Sequence, residues 1–216
     1  MQINTSTKLD ILLSLFVGLL IGMNLLGGKI ISLLGISVSV GIFMVPLTFL
    51  ITDIVEEVHG KQAVKRFILA GVITLAVILV FTAIFVALPP HERYQTDEAY
   101  KPTYGGSIRI ILASIIAFVL AQLHDAWSFQ LIKNKTKGKA LWLRNNVSTM
   151  ISQAIDTLLF MFIAFYQVSP KFTAGFIISL AIPYYLFKIS FAAIDTPLVY
   201  LGVKWLRGKN NEHIDK

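Results

Sequence analysis

Residues 147–168 read VSTMISQAIDTLLFMFIAFYQV, a run long enough to cross a ~30 Å hydrocarbon layer that nevertheless carries Gln153 and Asp156. A carboxylate inside such a segment is costly to bury, and it marks a pathway or a binding site by default. The same pattern recurs elsewhere. Asp125, Lys188 and Asp195 also fall within stretches that are otherwise apolar.

The composition of the chain agrees with that reading: 56% of its 216 residues are hydrophobic and only 14% are charged, with a mean hydropathy of +0.72. This excludes an ordinary soluble domain and predicts an all-α integral membrane protein. Apolar stretches lie near 9–28, 33–52, 67–88, 108–132, 147–168 and 172–203. We read them as a bundle of six transmembrane helices forming a single domain over residues 1–216. The last stretch is too long for one straight crossing, and Pro183 and Pro197 are places to kink or break it. Between Pro89 and Gly106, a Pro-Pro pair, a Gly-Gly pair and mixed charge predict an external loop.

With no cysteine, neither a disulfide framework nor a thiolate metal site can form, and the four histidines match no metal-ligand spacing. The segment after Lys8 lacks a small-residue cleavage site, so it reads as a retained first span rather than a signal peptide. For six spans with a cytoplasmic N-terminus, thirteen Lys and Arg fall on the inner side and five on the outer. That is the positive-inside pattern, with both termini cytoplasmic. The net charge of +7 therefore needs no nucleic acid to explain it. The basic run from Lys133 to Arg144 reads as a topology-setting loop.

Helical spacing groups the intramembrane polar residues. Gln122 with Asp125 and Gln153 with Asp156 are each three apart, and Lys188 lies seven before Asp195, so each pair shares a helix face. Several buried charges are an expensive way to join helices that small residues can pack, which favours a binding site over mutual structural pairing. Asn24 near the end of the first span either reads a ligand edge or caps its helix. Gly18 and Gly22 form a small-xxx-small pair suited to a helix contact.

The segment TDIVEEVHGKQAVKR (52–66), together with QLHDAWSF (122–129), LWLRNNVSTMISQAIDTLLFMFIAF (141–165) and the series Tyr184, Tyr185, Lys188 and Pro197, resembles the queuosine precursor transporter family, also called the vitamin uptake transporter family. The likeness extends from about Asn24 to Pro197. It implies a six-helix carrier in the cell inner membrane for 7-deazaguanines, the 7-cyano and 7-aminomethyl precursors salvaged for transfer RNA modification. It also implies a role for Asp53.

The residue types suit such a ligand. A guanine-like edge presents adjacent N–H donors that a carboxylate accepts in parallel, and Gln or Asn supplies the remaining donor and acceptor. Asp125 with Gln122, and Asp156 with Gln153 and Asn146, offer these groups from two helices. Trp127, Phe129, Phe160, Tyr184 and Tyr185 are candidates to stack on a flat ring. Lys188 is expected to be the countercharge of a neighbouring acid. The expected partners are the small-molecule substrate and the lipid bilayer, without nucleic acid. Self-association is left open, and no catalytic residue, cofactor or metal is expected.

Two other classes fit part of this pattern. One is the substrate-binding membrane subunit of a partner-dependent vitamin or nucleobase transporter. Its ATPase would have to be a separate protein, because this chain has no GxxxxGK[ST] loop. The other is an intramembrane enzyme with two aspartates as an acid/base pair, which the lack of a Gly-x-Gly-Asp motif disfavours.

Overall fold

Asn4 starts the first helix, α1 (Thr5–Leu26), by accepting a hydrogen bond from the Thr7 amide at 2.7 Å, which satisfies one of the donors that every helix start leaves open. The structure is a computed structural model describing residues 4–33, 35–136, 141–194 and 196–207. It is a mainly helical, multi-pass membrane protein. Among the described residues, four helical stretches are long and apolar enough to cross a bilayer: Thr5–Leu26, Lys61–Ala87, Asp97–His124 and Ala174–Phe191. A shorter apolar stretch covers Met150–Phe165.

The predicted span at 33–52 takes a different form. It divides into a hairpin of β1 (Ile30–Leu33) and β2 (Ile36–Ser39), a 3-10 turn at Val40–Phe43, and the start of α2 (Val45–His59). The strands are antiparallel, with Ile30 opposite Ser39 and Leu33 opposite Ile36. Gly35 (φ +80°) supplies the left-handed residue that such a tight loop requires. Pro46 fits the first turn of α2, where its missing N–H has no helical partner to lose. At the far end Gly60 (φ +75°) stops α2, and α3 (Lys61–Ala87) begins at the next residue.

The predicted loop at 89–106 is corrected as well. α4 (Asp97–Lys135) already begins at Asp97 and runs through Pro102. Asp97 and Glu98 in its first turn suit the positive end of the helix dipole, and Lys101 pairs with Asp97 at 2.6 Å one turn on. The expected break in the last stretch falls at Asp195, outside the described residues. α6 (Ala174–Ile194) keeps Pro183 inside it, and α7 (Thr196–Arg207) carries Pro197 in its first turn.

α5 (Leu141–Phe165) packs along α4 in the most extensive helix pair of the fold. Arg109 of α4 caps the end of α5, donating to the carbonyls of Ile163 at 2.5 Å and Tyr166 at 2.6 Å. One apolar cluster gathers β2, α2, α4, α5 and α6 around Val38, Ile110, Met161 and Leu180. A second joins α1, α2, α3 and α7 around Phe16, Val55, Phe67 and Leu206. Leu69, Ile73, Val77 and Val80 leave an apolar face of α3 exposed, as a lipid-facing helix requires.

Close helix approach is made at glycines other than the predicted pair. A Cβ at Gly71 would meet the side chains of Leu20 and Phe16, and one at Gly202 would run into Ile54. A Cβ at Gly18 would meet nothing within 4 Å, and Gly22 faces the Met44 side chain. At the opposite end of the molecule from the hairpin, Lys8 donates to the Trp205 carbonyl and lies 5.3 Å from the centre of its ring, tying α1 to α7.

Candidate functional site

Lys188 and Asp156 meet at 2.8 Å between α6 and α5, with the lysine side chain 9% and the aspartate side chain 24% exposed. The ammonium also donates to Thr157 Oγ1 at 3.2 Å and sits 5.7 Å from the centre of the Tyr184 ring, one turn earlier on α6. Two neighbours on α5 and one aromatic face on α6 therefore hold the cation in place. Such a pair depends on good geometry to offset the cost of desolvation.

The pair borders a cavity with two lobes. The first, about 170 Å³, is mostly apolar, with Phe118, Phe160 and Tyr184 in its wall and Asn24, Ser114 and Lys188 as polar members. The second, about 320 Å³, adds Thr52, Glu56, Gln122, Ser152 and Gln153. Asp156, Thr48, Phe49 and Phe118 line both lobes, so the two communicate. The larger lobe alone reaches the lower end of small-molecule pockets, ~300 Å³.

Gln153 carries the clearest sign of an incomplete network. Among the described residues its Oε1 is buried without a hydrogen-bond partner in the wall of the larger lobe. A buried acceptor left so is costly, and a ligand N–H would satisfy it. The spacing of three that joins Gln153 to Asp156 places both on the cavity side of α5.

Other predicted residues are distributed as follows. Asn24 is almost wholly buried and lines the smaller lobe. Its amide donates to the Leu20 carbonyl at 2.8 Å and accepts from Ser114 at 2.6 Å, so it helps hold α1 against α4. Gln122 lines the larger lobe and Tyr184 the smaller. Asp53 is exposed on α2 and lines neither lobe. The side chains of Asp125, Phe129 and Asn146, and the whole of Asp195, lie outside the described residues. Of the stacking candidates, Phe160 and Tyr184 line the cavity, whereas Trp127 is 62% exposed. Tyr185 donates to the Met150 carbonyl at 3.1 Å instead. His124 bonds Ser152 at 2.9 Å across α4 and α5.

Several lining residues escaped the sequence reading. Thr48 and Glu56 flank Thr52, the first residue of the 52–66 segment quoted above, at i, i+4 and i+8 spacing, so one stripe of α2 faces the cavity. That spacing was readable once α2 was recognised as a helix. Ser114, Phe49 and Phe118 bear no charge or motif that would single them out. No cluster of three or more metal-ligating side chains occurs among the described residues.

The chain matches the family described as "Putative vitamin uptake transporter" over residues 39–202. It is 30% identical to the "Queuosine precursor transporter" of Escherichia coli (strain K12) over 160 residues, 74% of this chain and 69% of that protein. It is 27% identical to the "Probable queuosine precursor transporter" of Bacillus subtilis (strain 168) over 179 residues, 82% of this chain and 77% of that protein. No solved structure matches the chain.

Proposed function

Because this chain belongs to the vitamin uptake transporter family, we propose that it imports queuosine precursors, the 7-cyano- and 7-aminomethyl-7-deazaguanines, across the cell inner membrane. In this reading the chain forms six spans with both termini in the cytoplasm. Besides the four long apolar helices, α5 contributes one span, and α2 with the hairpin and 3-10 turn contributes the other. The substrate is a small molecule, and the surplus of positive charge sets topology rather than binding nucleic acid.

The observation that carries the proposal is the buried, unpartnered Oε1 of Gln153 beside the Asp156–Lys188 pair. A primary amide is complementary to a lactam: its oxygen accepts the ring N–H while its NH₂ donates to the ring carbonyl. The Asp156 carboxylate, one turn along α5, can accept from the exocyclic amine next to that N–H. Phe49, Phe118 and Phe160 supply flat apolar surface for the bicyclic ring. Lys188 keeps its bond to Thr157 while the carboxylate shares its second oxygen with the ligand. These contacts distinguish a guanine-type edge from an adenine-type one, which lacks the N–H beside a carbonyl.

The test is the queuosine content of transfer RNA in a bacterial strain that can neither make nor import the precursors. Expressing this chain and feeding either deazaguanine at limiting concentration should restore queuosine. Asp156→Asn, inserted to the same level, should abolish that restoration. Failure of the wild-type chain to restore queuosine, with membrane insertion verified, would overturn the proposal.

A further inference from the structure

The three acids of α2 have three different surroundings. Asp53 lies off the stripe that faces the cavity. Glu57 turns away and meets Arg207 of α7 at 3.8 Å. Glu56 faces the larger lobe, and among the described residues it has no ion-pair partner. No basic side chain lines that lobe among the described residues. The other carboxylate of the cavity, Asp156, is already paired with Lys188. Among the described residues, the cavity thus has a charge-balanced end between α5 and α6 and a net negative end beside α2.

We infer that Glu56 is a specificity-determining residue that binds a cationic substituent of the substrate, while the balanced end receives its neutral ring. This rests on the proposed function and deepens it. The two precursors share one ring system and differ in a single arm. The aminomethyl arm ends in an aliphatic amine that is protonated at neutral pH, as lysine's is. The cyano arm is uncharged. The arm is carried on the five-membered ring, beside the ring carbonyl and off the N–H and amine edge held at Gln153 and Asp156, so it projects toward another wall of the lobe. Thr52 and Glu56, one helical turn (~5.4 Å) apart on α2, form the wall that such an arm would meet. A carboxylate there gives the ammonium a charge-assisted hydrogen bond and gives the nitrile no such contact.

The experiment is competitive uptake of the 7-aminomethyl and 7-cyano compounds, presented together to proteoliposomes holding the full chain. The readout is the ratio of the two accumulated inside, which is independent of how much protein is active. Glu56→Gln should lower the aminomethyl-to-cyano ratio about tenfold, the scale of one charge-assisted hydrogen bond in a partly solvated site. Glu56→Asp, which keeps the charge, should hold most of the wild-type ratio. A ratio that Glu56→Gln leaves within about twofold of wild type would overturn the inference, and so would a variant inactive toward both compounds. Wild-type protein that moved neither compound would bring down the proposed function itself, a result distinct from an unchanged ratio.

Discussion

Replacing Lys188 by Met removes the ammonium while keeping an unbranched chain of similar length, so the perturbation is electrostatic rather than a cavity. It leaves Asp156 without its 2.8 Å partner and removes the donor to Thr157. Truncating one partner of a buried pair costs ~3–5 kcal/mol. Because the Asp156 side chain keeps 24% of its exposure, water relieves part of that cost, and about 3 kcal/mol is expected. The double variant Lys188→Met/Asp156→Asn removes both charges and should recover most of the loss, giving a coupling of about 2 kcal/mol in a double-mutant cycle. Equilibrium unfolding of the purified proteins in mixed micelles measures these values, with uptake followed in parallel. Stability should return in the double variant while transport does not, since the carboxylate is needed for the ligand. Single-variant costs that add to within ~0.5 kcal/mol would refute the pairing. Normal uptake by the double variant would refute the role given to Asp156.

Arg109→Met should destabilise the fold by about 2 kcal/mol through loss of its bonds to the Ile163 and Tyr166 carbonyls. Hydrogen exchange should localise that loss to the end of α5 and the turn after it. Gly202→Val should cost about 1–3 kcal/mol, because its side chain enters the space of Ile54 where α7 meets α2. Gly18→Val is the matched control, expected within ~0.5 kcal/mol of wild type since nothing stands near its position.

The helices most legible in the sequence were those whose apolar runs exceed the length of a bilayer. α1 and α3 lie close to the stretches read at 9–28 and 67–88. The stretch at 33–52 was less so. It is mostly apolar, and over four to eight residues such a run does not separate a strand from a helix turn. Its glycines and serines serve the hairpin and the 3-10 turn, where Ser39 accepts from the Gly41 amide at 3.2 Å. Pro102 and Gly105–Gly106 read as a loop, but the acids at Asp97 and Glu98 start the helix earlier and packing carries it through. At the site, spacing on a single helix brought out Gln153 with Asp156, and charge in an apolar setting brought out Lys188. Partners contributed by other helices, such as Thr48 and Ser114, depend on tertiary packing that no local pattern encodes.

One glycine carries more consequence than its size suggests. With only Gly60 between α2 and α3, the two helices meet at an elbow with no slack, so a tilt of one must drag the other. The cavity stripe of α2 and the opposing wall from Val64 and Ile68 of α3 would then swing as a single lever against the long α4–α5 pair. In a carrier built this way the chamber would change width by turning one stiff arm rather than by melting a loop.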